Sequence, residues 1–412
     1  MTIRRRDALA AALLGPALSA LPAHGQTSLG GCMPMTDWTS FAARHIQPDG
    51  RVVDFDTPQQ HSTSEGQSYA MFFALVHDDR RNFERVLAWT EGNLSGGSLA
   101  QRLPAWQWGR KTEGGWGVLD PNPASDADLW IAYALLEAAR LWEEPSYRTL
   151  ARSLLTLVVR EEVVTLPGLG RMLLPWPKSV AKGPVWRLNA SYLPLQLLRR
   201  FHQEEPTGPW NEIATNTVRM IGATAPQGFA PDWCGWSTEQ KAFVVDPDKG
   251  ATGGYDAIRV YLWAGMLSPQ EPARAPLLKS LYGPRRALEK SPAPPEYVDT
   301  STGITRGTGP AGFSGALLPY LKAQGATAPL NAQLARIPVD LGGAAPAGPR
   351  PLPYYERMLL LFAQGWLDGR YAIVEPEFPL REFAVALHWS RRFESDPGNQ
   401  WLRAVVGELF KE

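Results

Sequence analysis

Three carboxylates stand at the starts of apolar, helix-like stretches. They are Glu65 in "STSEGQSYAMFFALVHDD", Asp126 in "NPASDADLW" and Asp256 in "ATGGYDAIRVYLW". Acids at helix amino ends have an ordinary explanation, because they complement the macrodipole and the unpaired N–H groups there. Ser125-x-x-Asp128 even has the spacing of a capping box, with Asp in place of Glu. For any one acid, capping is sufficient. Three of them, with Trp106, Trp108, Trp116 and Trp186 in nearby loops, suggest a second chemistry. Indole faces stack on the C–H surface of sugar rings, and paired carboxyl groups cut glycosidic bonds.

Such a site needs elements that bring the three acids together. The hydrophobic periodicity predicts helices at 37–46, 65–78, 80–94, 126–142, 146–163, 191–204, 209–223, 255–267, 270–282, 311–323, 328–339 and 353–368. Strand-like alternation is scarce, with "KAFVVDP" and "RYAIVEP" as short exceptions, and "NQWLRAVVGELF" in the tail is helical by period. The helices at 65–78, 126–142, 191–204, 255–267, 311–323 and 353–368 are apolar almost all round. Each has a more amphipathic partner, 37–46 serving the last. Apolar helices are buried and amphipathic ones form walls. The pattern therefore predicts an all-α (α/α)6 barrel of six inner and six outer helices, with a helical solenoid as the competing arrangement. In a ring the inner helices run the same way, so Glu65, Asp126 and Asp256 would gather at one face.

Composition narrows the function. The 412-residue chain is 44% hydrophobic, enough for a large core, and its 41 basic and 41 acidic residues balance. That balance gives no support to nucleic-acid binding. "MTIRRRDALAAALLGPALSALPAHGQ" has the charged and apolar regions of a secretory signal, with cleavage near Ala23–Gln26. Its arginines resemble a twin-arginine signal. "LGGC", ending at Cys32, resembles a lipoprotein site but lies well beyond the apolar run. No later stretch reaches the ~18 apolar residues of a membrane span. The expected organisation is a signal at 1–25 and one soluble, exported domain at 26–412, with 371–412 unplaced. Cys32 and Cys234 are the only cysteines; they could pair in an oxidising compartment or stay apart. No metal, nucleotide or flavin motif is present, and no cofactor is expected.

"ASDADLWIAYALLEAARLW" resembles the signature of glycoside hydrolase family 8, and "TSEGQSYAMFFAL" resembles the segment carrying that family's proton donor. "GSLAQRLPAWQWGRK", "EEVVTLPGLGRMLLP", "APQGFAPDW" and "YDAIRVYLWAGM" are similar to the periplasmic endoglucanases encoded with bacterial cellulose synthases. The resemblance runs from about Thr36 to about Leu321 and is diffuse beyond. Ala70, where Gly is frequent, and Cys234 after "PDW" are departures.

The resemblance implies an inverting enzyme that cuts β-1,4-glucan chains of cellulose. Glu65 matches the general acid and Asp256 the general base. Asp126 matches the signature Asp, described either as a nucleophile or as the residue holding the distorted sugar; the second role is favoured. Arg259 matches an arginine near the base, and Trp186 and Tyr192 match cleft-lining aromatics. Trp108 is a further candidate for substrate binding. A helix amino end favours the ionised carboxylate, so a general acid at Glu65 requires burial or a neighbouring negative charge such as Asp126 to raise its pKa. Other β-1,4-glycans of the family (xylan, chitosan, mixed-linkage glucan) are alternative substrates. A non-catalytic glucan-binding protein of the cellulose export machinery is the alternative class, and a functional association with the synthase complex is a further expectation. The presence of all three acids argues against the non-catalytic reading.

Overall fold

The computed structural model describes residues 38–177, 183–337 and 352–371, with isolated positions 397, 400 and 401. Residues 38–371 fall in one compact unit, Met33–Ala372. The predicted signal, Cys32, most of "RYAIVEP" and most of the tail helix lie outside the described residues.

The described residues begin with α1 (Trp38–His45), then β1 (Ser62–Thr63), α2 (Ser64–Val76) and α3 (Arg80–Leu94). A hairpin, β2 (Gln107–Arg110) and β3 (Trp116–Asp120), leads to α4 (Ser125–Leu141) and α5 (Pro145–Glu161). Strands β4 (Val163–Leu166), β5 (Gly170–Leu173) and β6 (Val185–Leu188) precede a 3-10 turn (Ala190–Tyr192), α6 (Leu195–Glu204) and α7 (Trp210–Thr224). Next come β7 (Cys234–Ser237), β8 (Ala242–Val245), β9 (Thr252–Gly253) and α8 (Ala257–Met266). Helices α9 (Arg274–Ser280) and α10 (Gly283–Leu288), strands β10 (Tyr297–Asp299) and β11 (Thr305–Arg306), and helices α11 (Ala311–Ala323), α12 (Thr327–Arg336) and α13 (Tyr354–Leu367) complete the unit.

The inner helices are α2, α4, α6, α8, α11 and α13. In α2 every residue from Gly66 to Leu75 is buried, and α4, α8 and α11 are nearly as enclosed. Alternate helices α3, α5, α7, α9 and α12 pack outside them. The ring closes where α13 returns to α2. Phe362 lies 5.2 Å from the Tyr69 ring and 4.7 Å from that of Phe73. A solenoid would leave these two helices apart. Phe362 also meets Trp130 of α4 at 5.1 Å and Trp263 of α8 at 5.0 Å, so aromatic rings from four inner helices fill the axis. Edge-to-face and tilted geometry of this kind adds to the burial of apolar surface. Glycine permits the closest helix contacts: a Cβ at Gly265 of α8 would lie 2.2 Å from the Tyr320 backbone of α11. Phe41 of α1 packs on Tyr354 at the start of α13, giving the last inner helix its outer neighbour.

The strands form small antiparallel sheets, β1-β2-β3, β6-β7-β8, β9-β10-β11 and the pair β4-β5. They are set largely in the connections that enter inner helices: β1 runs directly into α2, β3 precedes α4, β6 precedes α6 and β9 precedes α8. The sheets therefore stand around the mouth where the inner helices begin.

Most predicted helices match within a few residues, but two differ. The stretch at 191–204 is a 3-10 turn followed by α6, because Pro194 lacks an N–H and holds Leu193 out of helical geometry (φ −123°, ψ 59°). Helix α6 is also less apolar than expected: Arg200 reaches Glu137 of α4 at 2.7 Å and Glu204 at 3.3 Å, and Arg148 of α5 binds Glu204 at 2.7 Å. The stretch at 270–282 is shorter, and a separate helix begins at Gly283, with Pro284 in its first turn, where a missing N–H costs nothing. "KAFVVDP" contains β8, whereas most of the other strands were hidden in loops rich in Gly and Pro.

Candidate active site

Glu65 lies in the first turn of α2, whose N-cap is Thr63; the Thr63 hydroxyl accepts from the Gly66 N–H at 3.1 Å. Capping therefore leaves the Glu65 carboxyl group free. Its Oε1 accepts from the Trp106 indole N–H at 3.1 Å, and its Oε2 lies 3.4 Å from the Ser64 hydroxyl. The residue is half-buried. Burial, then the negative charge of Asp126, pushes its pKa up to about 8. Arg259 and the Trp106 N–H act in the opposite direction but do not prevail.

Asp126, in the first turn of α4, is fully buried. Its Oδ1 accepts the Ala127 N–H at 2.9 Å, while its Oδ2 has no hydrogen-bond partner. The nearest cationic atom is Arg259 Nη2, 3.9 Å from that oxygen. Burial raises the Asp126 pKa to about 6, against the pull of Arg259.

Asp256 occupies the N-cap position of α8 yet makes no side-chain cap bond. Its Oδ1 accepts from Arg259 at 2.9 Å and its Oδ2 from the Trp233 indole N–H at 3.0 Å. With 29% of the side chain exposed, it is the most open member of the trio's Asp pair. Arg259 thus touches both aspartates, donates to the Ser191 hydroxyl at 2.8 Å, and lies 3.3 Å from the Tyr355 hydroxyl.

The structure brings Glu65, Asp126, Asp256 and Arg259 into one site, as their places at inner-helix mouths suggested. Tyr192 borders it: Arg259 lies 6.0 Å from its ring centroid, and Trp233 packs on the same ring at 6.1 Å. Trp108 sits on β2 opposite Ser62, two residues before Ser64. Its ring stacks with that of Trp116 at 5.5 Å, and the Arg51 guanidinium covers both at 4.3 and 4.6 Å. Trp116 keeps 44% of its surface exposed and forms an indole platform beside the α2 mouth. Trp186 is placed differently. It faces Trp236 across the β6–β7 pair, whereas its neighbour Arg187 lies over Trp233 at 4.9 Å. Adjacent strand residues point to opposite faces, and no hydrogen bond among the described residues joins Trp186 to the acids.

The sequence reading missed the hydrogen-bond donors. Trp106 and Trp233 were visible as aromatic residues, but not as N–H partners of acids 41 and 23 positions away. Tyr355, at the start of α13, was also missed; its hydroxyl bonds the Tyr255 carbonyl at 2.6 Å beside Arg259. Cys234 is buried and forms no disulfide among the described residues; as a thiol its pKa is pushed up to about 12 by burial. No group of three or more metal-ligating side chains is placed to hold a metal among the described residues. No helix among them is long and apolar enough to cross a membrane.

A closed helical ring with carboxyl groups, a guanidinium and indoles at one mouth is suited to cutting a polysaccharide. Residues 6–369 match the model for "Glycosyl hydrolases family 8", and the chain belongs to that family. It is 52% identical over 367 residues to an endoglucanase of Xanthomonas axonopodis pv. citri, covering 89% of this chain and 94% of that one. It is 42% identical to an endoglucanase of Escherichia coli K12, over 81% of this chain and 87% of the relative. Among solved structures, an endo-1,4-D-glucanase from Vibrio fischeri ES114 superposes with a TM-score of 0.71 at 39% identity, covering 80% of this chain and 94% of that chain. The chain is a glycosyl hydrolase with the (α/α)6 fold.

Behind Asp126 lies a second acid pair. Asp128 and Glu162 are fully buried, and none of their four carboxyl oxygens has a hydrogen-bond partner. Asp128 does not cap α4 as its spacing suggested: no side-chain cap bond is present there. The two carboxyl groups are close enough to perturb each other, and a proton shared between them would give their orphaned oxygens a donor. Burial and the charges of Asp126, Glu65 and Glu161 around Asp128 hold its pKa well above the carboxylate range. Burial and the charges of Asp128, Glu161 and Asp126 do the same for Glu162. The folded protein therefore keeps protons that the unfolded chain releases, so this pair's contribution is intact at acid pH. It is lost progressively as pH rises above the ordinary carboxylate values of about 4. Glu162→Gln keeps a hydrogen-bond donor without the titration. Its thermal midpoint should fall less steeply than the wild type's as pH rises above about 5; parallel slopes in scanning calorimetry would show that the pair carries no proton linkage.

Proposed function

We propose that the protein is an inverting endoglucanase that hydrolyses internal β-1,4 bonds of cellulose, with Glu65 as general acid and Asp256 as general base. The observation that carries the assignment is the contrast between these carboxyl groups. Glu65 is pushed up to about 8 and so retains a proton at neutral pH. Asp256 is held by a guanidinium and an indole N–H, which complement a carboxylate, and remains open to water. Glycoside cleavage needs such a pair, one carboxyl group protonating the leaving oxygen and the other activating water.

Asp126 serves as a substrate-holding group. Its unpartnered buried oxygen is an acceptor that a sugar hydroxyl can satisfy. Its negative charge also favours the protonated form of Glu65. The Trp108–Trp116 platform offers a stacking surface for glucosyl units farther along the chain. The relatives called endoglucanases favour a glucan over xylan or chitosan. The basic, then apolar amino-terminal segment supports export to the periplasm, and the resemblance to synthase-associated endoglucanases supports a role beside cellulose synthesis. Mass spectrometry of exported protein should find an amino terminus near Gln26; an intact Arg4–Arg6 segment would contradict export.

Glu65→Gln should lower release of reducing ends from carboxymethylcellulose by about 10²–10⁴-fold while cello-oligosaccharide binding, read by calorimetry, persists. Activity within about twofold of wild type would reduce Glu65 to a helix-end acid. Proton NMR of fresh wild-type product should show the α anomer first, because a base-activated water inverts the β-linked centre. Early β product would instead require two displacements and make Asp126 the nucleophile.

A further inference from the structure

The start of α8 poses a question about Asp256. An aspartate at an N-cap ordinarily turns its carboxylate back onto the first free N–H groups of its own helix. Asp256 does not. The N–H groups such a cap would take, those of Ile258 and Arg259, donate instead to the Gly254 and Asp256 carbonyls at 3.0 and 3.1 Å, and the N–H groups just ahead of them, Ala257 at the first helical position included, are held from outside the helix. A single oxygen, Asp232 Oδ1, accepts the N–H groups of Gly254 at 2.8 Å, Asp256 at 2.9 Å and Ala257 at 2.7 Å.

Asp232 is itself fixed. Its own N–H donates to the Thr252 carbonyl at 2.8 Å, and the preceding Ala230 N–H donates to the Tyr261 hydroxyl of α8 at 2.8 Å. Gly253 passes so close to this segment that a Cβ there would lie 2.3 Å from the Ala230 carbonyl oxygen. The next residue, Trp233, donates its indole N–H to Asp256 Oδ2. Its ring is packed by Trp176 at 5.8 Å and Tyr192 at 6.1 Å and covered by Arg187, which is paired with Asp246 at 2.7 Å. Two adjacent residues therefore hold Asp256 in two ways, Asp232 by its backbone and Trp233 by its carboxylate.

We propose that Asp232 is a positioning residue for Asp256: by accepting the Ala257 N–H at the start of α8 in its place, it frees the Asp256 carboxylate to stay with Arg259 and Trp233 and orient water. This rests on the reading of Asp256 as general base. Without Asp232, the Ala257 N–H loses its acceptor, and the Asp256 carboxylate is drawn back onto it, in the contact that Asp126 makes with the Ala127 N–H at 2.9 Å. Substrate binding through Asp126 and the indole platforms does not depend on that rotation.

The test compares Asp232→Asn, Asp232→Ala and Asp232→Glu on a soluble cello-oligosaccharide, with Asp256→Ala measured alongside. Asn keeps an acceptor oxygen of the same reach and should stay within about tenfold of wild-type kcat. Ala removes the acceptor and Glu displaces it by one methylene. Each should lower kcat by about 10²-fold, the scale expected from a misplaced catalytic group, with KM within about twofold. If the Ala variant does not fold, the Glu variant carries the same comparison. Ala or Glu variants with wild-type kcat, whatever their melting temperature, would overturn the proposal by leaving Asp232 a purely structural cap. So would an Asn variant as impaired as Ala, because charge rather than acceptor geometry would then be responsible. Asp256→Ala reports separately on the base: its retention of activity would defeat that reading whatever the Asp232 series shows.

Discussion

The withdrawal of carboxyl groups from water around the Arg259 guanidinium is the constraint on which this structure turns. Asp126 and Asp256 both lie within 4 Å of Arg259 Nη2, at 3.9 and 2.9 Å, and Glu65 stands beside Asp126 with only an indole N–H and a distant hydroxyl for partners. A buried charge is costly unless paired. One cation near three acids cannot offset them equally, so Glu65, buried, without a direct contact to the cation and beside the charge of Asp126, retains its proton. The geometry thereby separates the acids: Glu65 is pushed to about 8, Asp126 to about 6, and Asp256 holds the closest contact with the cation. Asymmetry of this kind lets one site contain an acid and a base at the same pH.

The ring of helices exists, in functional terms, to impose that crowding. Its inner helices run parallel, so their amino ends meet at one mouth, and the aromatic rings of Tyr69, Trp130, Trp263 and Phe362 close the axis within the ring. Small sheets at the mouth supply what helix ends lack. The β1–β2 pairing positions Trp106 and the Trp108–Trp116 platform beside Glu65, and the loop before β7 supplies Asp232 and Trp233 to Asp256. Helix macrodipoles favour ionised acids at these ends. Burial works against them at Glu65 and prevails.

Much of this arrangement was legible in the sequence because it is periodic. Apolar stretches of helical length identified the inner helices, and the alternation with amphipathic ones identified the ring. The acids were visible because each opens such a stretch. What was not legible depends on contacts between distant segments. Asp128 has the spacing of a capping residue, but only the folded chain sets it against Glu162. Trp186 and Trp233 are equally plausible cleft aromatics as letters; strand alternation on β6 turns one away from Trp233's side of the sheet, and the indole N–H of the other finds Asp256. Pro194 signalled the break before α6, yet the apolar pattern continued across it and outweighed the signal.

The central claim is that the fold holds Glu65 protonated at neutral pH, and a direct titration tests it. In protein labelled with ¹³C at glutamate side-chain carboxyl groups, NMR spectra of the wild type and of Glu65→Gln identify the Glu65 resonance by its disappearance. The account predicts that this resonance titrates with a midpoint near pH 8. A midpoint in the ordinary glutamate range, about 4–5, would contradict it, for Glu65 would then be ionised at neutral pH and unable to donate a proton to the leaving sugar.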